Sequence, residues 1–193
     1  MARIGFKKAK YNKIEGGKYA ALKENKVPLF EKVIDEKFAP EYNSAELYAN
    51  DGLAETDYSF KKGTLSLTIA DDDDTLLAEL FGSEVSKEGG EVTQTINDTA
   101  PEFCYGHIIP KMVGGARKYK VEFFPRVKFT KVTSDNKTRG ESVEFSTTAL
   151  EGTVFPLESE INGLKAGTWE KHQTFATEQE AETYLDSLLT PVA

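Results

Sequence analysis

Lys118-Tyr119-Lys120-Val121-Glu122-Phe123-Phe124-Pro125-Arg126-Val127-Lys128-Phe129 is the stretch on which the fold turns. Tyr119, Val121, Phe123, Val127 and Phe129 occupy odd positions; Lys118, Lys120, Glu122, Arg126 and Lys128 occupy even ones. Such alternation puts apolar side chains on one face of a strand and charged ones on the other. Pro125 cannot donate to a sheet ladder, so the strand is expected to lie at an edge or to bulge there. Val143 and Phe145 repeat the odd pattern after the turn cluster Ser134-Asp135-Asn136-Lys137. Residues 117–148 therefore read as a β-hairpin or meander with one wet and one dry face.

The same period recurs in Thr64-Leu65-Ser66-Leu67-Thr68-Ile69, and shorter strands are expected at 29–38, 44–49, 91–96, 102–109, 152–157 and 168–175. Asn50-Asp51-Gly52, Gly89-Gly90 and Asn162-Gly163 separate them as turns. Two helices stand apart. Aspartates at 71–74 precede Leu76, Leu77, Leu80 and Phe81, and Gly82 supplies a left-handed end. Thr177 and Glu180 form a capping box before the stripe Ala181, Tyr184, Leu185, Leu188, Leu189, and Pro191 stops that helix. The expected class is mainly β: a sandwich or barrel with one short helix and a C-terminal amphipathic helix. Residues 1–157 form the β domain. Residues 158–193 form an extension whose helix packs on the same domain or on a neighbour.

Across 193 residues there are 24 Lys+Arg and 32 Asp+Glu, a net charge of −8. An acidic chain is a poor candidate for binding that works by neutralising phosphates or an anionic membrane surface. One cysteine excludes an internal disulfide framework. No apolar run reaches membrane-spanning length and no apolar segment follows the basic N-terminus, so a soluble chain without a secretory signal is expected. Charge is segregated: +6 over residues 1–26, −9 over 71–102 and +7 over 111–139. These blocks can fold against one another or form the two sides of a head-to-tail contact between copies.

Chemistry-bearing patterns are sparse. Cys104 and His107 are three apart, which puts them on opposite faces of a strand, and a buried thiol beside a hydrogen-bonded histidine is the favoured reading. Counted as a calcium loop from Asp71, the chain offers Leu76 and Gly82 where Gly and Glu are needed. The aspartates are therefore read as a helix start, or as fixed negative charge that repels something. Ser134-Asp135-Asn136-Lys137 has fragments of a β-lactamase signature without its spacing. No phosphate-cradling glycine loop occurs. No catalytic residue, metal ligand or cofactor site is nominated, and the chain reads as non-catalytic.

The segment Ala39-Pro40-Glu41-Tyr42-Asn43-Ser44-Ala45-Glu46-Leu47-Tyr48-Ala49-Asn50-Asp51-Gly52-Leu53-Ala54-Glu55-Thr56 is followed by a strict alternator and a short Leu-rich helix ending in Gly82. Next come Ala100-Pro101-Glu102-Phe103-Cys104-Tyr105-Gly106, the basic strand 117–124 and Thr138-Arg139-Gly140-Glu141-Ser142-Val143-Glu144-Phe145. In this order, from about residue 30 to residue 157, the chain resembles the major tail protein family of long-tailed phages infecting Gram-positive bacteria. The resemblance implies hexameric rings that stack into a hollow tail tube, assembled in the host cytoplasm and carried in the virion. The implied partners are further copies of the chain, a tape measure protein, a tail terminator and a distal tail or baseplate protein, with DNA passing through unbound. It also implies a loop or hairpin reaching a neighbouring subunit, placed at Tyr42–Tyr58: Tyr42, Asn43, Leu47, Tyr48, Asp51, Leu53 and Tyr58. An acidic bore would repel the duplex and keep it moving. Glu41, Glu46, Asp51, Glu55, Asp57, Asp71, Asp72, Asp73 and Asp74 are the candidates to line it. A single-ring hub or connector of similar fold, or a carbohydrate-binding sandwich using Trp169, are the alternatives.

Overall fold

A computed structural model describes residues 2–3, 5–49, 52–70, 73–86, 90–134 and 147–192. For residues 2, 25, 46–49, 52–57 and 131–134 the description covers the backbone alone.

The chain runs β1 (Ala2–Arg3), β2 (Lys7–Glu15), β3 (Lys18–Tyr19), β4 (Val33–Ala49), β5 (Gly52–Ile69), α1 (Asp74–Phe81), β6 (Glu84–Val85) and β7 (Val92–Thr93). It continues with β8 (Glu102–Val113), β9 (Ala116–Ser134), β10 (Thr148–Val154), β11 (Lys171–Phe175) and α2 (Glu178–Leu189). The main sheet is antiparallel in the order β3-β2-β8-β9-β10-β5-β4, with β1 added to β8 and β11 to β9; β6 and β7 pair separately. Phe30 N donates to Ala9 O and Tyr11 N to Pro28 O, so the segment before β4 meets β2 and the sheet curls round its core.

Pro125 sits at a bulge. Phe103 pairs with Val127 but Tyr105 pairs with Phe124, so β9 spends one extra residue there. β11 pairs with β9 over Tyr119–Phe123, and β10 pairs with it from Val127 onward. The proline thus falls between two partners on that side, where no ladder donor is required. The bulge also corrects the single dry face expected for the odd positions. A one-residue slip exchanges the faces of a strand. Val121 and Phe123 join one core, with Cys104, Ile108 and Leu185, whereas Phe124, Val127 and Phe129 join the other, with Leu65, Leu67, Tyr105 and Leu150. β8 and the middle of β9 are covered on both sides as a result, and the wet face disappears over residues 121–125.

Other boundaries move as well. The strands expected at 29–38 and 44–49 are one continuous β4, whose interior Pro40 is tolerated because β4 is the last strand of the sheet. The strand expected at 91–96 contracts to Val92–Thr93. Ala49 pairs with Gly52, so the chain reverses at the expected turn. The turn at 134–137 and the string 138–145 lie outside the described residues, apart from the backbone of Ser134, which ends β9.

Both helices carry the anticipated caps. Asp73 accepts from Thr75 N at 2.9 Å to open α1, and Gly82 closes it at φ 73°, where an added Cβ would lie 2.3 Å from Thr99 O. Thr177 and Glu180 form the reciprocal box of α2. Ala181, Leu185, Leu188 and Leu189 are buried in the second core together with Leu157, Ile161 and Leu164, so the C-terminal extension docks on its own chain. Asn12 donates to Leu189 O and Asn162 to Leu188 O and Thr190 O, satisfying carbonyls that the helix end leaves open. Gly106 permits the close approach of α2: an added Cβ would meet Leu185 Cδ1 at 2.6 Å and Glu122 O at 3.0 Å.

Candidate functional site

The β4–β5 hairpin is much longer than the sheet beside it. β4 has 17 residues and β5 has 18, yet β10 pairs with β5 only over Gly63–Ile69. Beyond Gly63 the two strands continue as a ribbon paired only with each other, from Glu41↔Lys62 to Ala49↔Gly52. Among the described residues the outer edge of β4 has no strand partner along its length, and neither does β5 from Gly52 to Lys62. Unpaired N–H and C=O groups in such a row are a template for another strand. An isolated two-stranded ribbon is at best marginally stable in water, so its burial against something else is the expected source of order.

The residues expected in the reaching element divide accordingly. Tyr42 and Tyr58 are exposed large side chains on the ribbon, and Asn43 is exposed opposite Ser59. The Tyr42 ring meets Phe60 edge-on at 6.1 Å, and Phe60 stacks on Trp169 at 4.1 Å with planes 7° apart. This aromatic column fastens the ribbon root to the body and covers one face of Trp169. Leu47, Tyr48 and Leu53 lie in the distal ribbon by backbone register. Asp51 lies outside the described residues.

Of the acids expected to face a bore, Glu41 is exposed and pairs with Lys62 at 3.6 Å across the ribbon. Glu46, Glu55 and Asp57 belong to the distal ribbon by register. Asp73 and Asp74 serve the start of α1, while Asp71 and Asp72 lie outside the described residues. The basic N-terminal block meets a different acidic partner from block 71–102. Lys7 binds Glu178 at 3.1 Å, Lys8 binds Glu182 at 3.3 Å, and the nearly buried Lys10 reaches Glu182 at 3.0 Å and Asp186 at 2.6 Å. Block 71–102 touches block 111–139 through Glu102, which binds Arg126 at 2.6 Å and Lys128 at 3.3 Å.

Beside the ribbon root a cleft of about 590 Å³ is lined by Arg3, Phe6, Glu36, Phe38, His107, Glu122 and Trp169, among others. Its floor is a buried polar cluster that sequence reasoning missed. Tyr105 donates to Glu36 Oε2 at 2.8 Å; His107 Nδ1 lies 3.1 Å from the same oxygen, and its Nε2 lies 3.6 Å from Glu122 Oε2. Burial raises the Glu36 carboxyl to about 7, and burial lowers the His107 imidazole to about 4. Burial also opposes the charge of Glu122, but hydrogen bonding from Lys120 and the neighbouring cations holds its carboxyl below the usual range. His107 Nδ1 has no aligned hydrogen-bond partner. A protonated Glu36 is the donor that a neutral imidazole nitrogen requires. The cluster ties β4 to β8 and β9. Cys104 faces the other core, where its thiol lies 3.4 Å from Asn12 O and burial pushes its titration far up.

Among the described residues, no group of three or more His, Cys, Asp or Glu is placed to hold a metal ion. No helix among them is long and apolar enough to cross a membrane. In comparisons with known proteins, the chain matches no protein-family model and no curated protein.

Proposed function

We propose that the chain is a structural, non-catalytic subunit of a phage tail tube, polymerising as stacked, hexameric rings around a passage for DNA. The observation that carries this reading is the ribbon 41–62, whose open edges require a covering partner and whose root is rigidly held. A second copy is the natural cover, because a heterologous strand contact repeated by a rotation that closes builds a ring. The order of sequence strings that resembles the major tail protein family supplies the partners: tape measure protein, tail terminator and distal tail or baseplate protein. The excess of acidic residues suits a conduit that must not retain a polyanion.

Negative-stain microscopy of concentrated purified protein tests the proposal. Annular or cylindrical particles are expected from the full chain, and none from a variant in which 43–57 is replaced by a two-residue turn. Monodisperse monomers of the full chain across buffers and concentrations would overturn it.

A further inference from the structure

The two ends of β8 carry opposite unpaired charge. At its start the chain emerges from the β6–β7 segment, whose turn Thr95–Asp98 packs near Phe129 and Thr130 of β9. Glu84 and Glu91 are exposed there and have no cationic partner among the described residues. The turn is held by Asp98, which accepts from Thr95 N at 3.1 Å and Thr95 Oγ1 at 2.6 Å. Its tip presents Ile96, fully exposed. Arg126 and Lys128 also reach this end, but Glu102 and Glu158 neutralise them.

At the far end, Val113 pairs with Ala116 across the β8–β9 turn. Ten residues separate it from Phe103, about 33 Å of strand. Arg117 and Lys118 are exposed there with no ion pair to an acid among the described residues, and Met112, paired with Arg117, is exposed on the face away from Lys111 and Lys118. Burial, reinforced by the charges of Lys120 and Arg3 and partly offset by Glu122, lowers the Lys111 ammonium. Each end therefore presents an exposed apolar residue and exposed side chains predominantly of one charge, the two ends differing in sign, which suits the two halves of one interface.

We infer that the acidic Thr95–Asp98 turn of one copy seats on the basic β8–β9 turn of a second copy, Ile96 against Met112, and stacks copies along β8. This rests on the ring reading above in taking the partner to be an identical chain. The two contacts are orthogonal: pairing at the β4 edge extends an assembly across the strands, and contact between the ends of β8 extends it along them.

A charge swap tests the inference. Arg117→Glu with Lys118→Glu makes both ends acidic, and Glu84→Lys with Glu91→Lys makes both ends basic. All four sites are exposed, and thermal melting verifies that each variant folds. Each variant alone should form rings but no cylinders, and an equal mixture should restore cylinders. Ile96→Ser alone should raise the protein concentration needed for cylinders on the order of tenfold. Cylinders from either charge variant alone at wild-type concentration, or no recovery on mixing, overturns the inference and leaves the ring reading standing. Absence of rings in every sample contradicts the ring reading instead. Sedimentation of the mixed variants against each one alone then decides the end-to-end contact by itself.

Discussion

Tyr105 Oη lies 2.8 Å from Glu36 Oε2, and this one hydrogen bond joins the middle of β8 to the root of the projecting hairpin. With His107 close to the same carboxylate oxygen, the contact anchors β4 to β8 where β4 still lies in the sheet, ahead of the free ribbon. A rigid root is what an element needs if it is to present its edge to a partner at a defined angle.

The opposed shifts of Glu36 and His107 have a measurable signature. In the unfolded chain the imidazole holds a proton between about pH 4.5 and 6.5; with the folded values Glu36 holds one instead, so folding should take up none in that range. Wild-type stability should therefore be nearly flat there with respect to this pair. Glu36→Gln leaves His107, whose folded value is lowered, so stability should fall as pH drops from about 6.5 towards 4, by on the order of 2–3 kcal/mol. His107→Gln leaves Glu36, whose folded value is raised, so stability should fall as pH rises from about 4.5 to about 7. Urea unfolding at several pH values reads both slopes; parallel profiles for wild type and both variants would refute the two opposed shifts.

Gly106→Ala should lower stability by about 1–3 kcal/mol, because the new methyl meets Leu185 and the Glu122 carbonyl. Leu185→Ala in the same background should cost less than it does alone, since it opens the space. A double-mutant cycle by thermal melting measures the coupling, and strict additivity would contradict the packing described.

Lys10 is nearly buried between Glu182 and Asp186. Lys10→Ala should cost about 1–2 kcal/mol, much of it from Asp186 left without its cation, while Glu182 keeps Lys8. The Glu182 carboxyl is held low chiefly by the Lys10 hydrogen bond, so its contribution is present above the ordinary carboxylate range and lost as the solution is acidified below it. Near-ultraviolet dichroism of Tyr184, which packs on Phe175 at 5.0 Å, should report loosening of α2 in acid. An unchanged acid transition in the Lys10→Ala variant would count against this account.

Tyr58→Ser should leave the melting temperature of the isolated chain within about 2 °C, since the side chain is exposed. The same change should suppress particle formation if the ribbon face is covered in the assembly. Light scattering against concentration separates the two effects, and normal assembly would remove Tyr58 from the contact.

Much of the architecture was legible because it rests on local chemistry. The α2 capping box and stripe, the Gly82 terminus and the alternation of 64–69 each involve residues within a turn or strand of one another. Pro125 was rightly flagged, but its two permitted outcomes differ in consequence, and only the bulge reassigns Val127 and Phe129 to the other core. Residues 39–43 fell between two expected strands, and that one edge strand runs through them is a tertiary fact. The Glu36–Tyr105 contact spans 69 residues of sequence, and Lys7, Lys8 and Lys10 of β2 are matched by acids more than 170 residues away. No spacing rule reaches that far. The cluster at the ribbon root was therefore invisible, while the reversal at Asn50-Asp51-Gly52 that makes the ribbon a hairpin was expected from turn chemistry.

Amide hydrogen exchange of residues 41–49, compared between dispersed and assembled protein, tests the central claim most directly. Outward-facing amides of β4 should exchange rapidly in the dispersed chain and be protected at least a hundredfold once particles form, a loss of exposure equivalent to about 2.7 kcal/mol. Equal protection in both states would mean that no strand covers this edge, and the ribbon would not be the joint between copies.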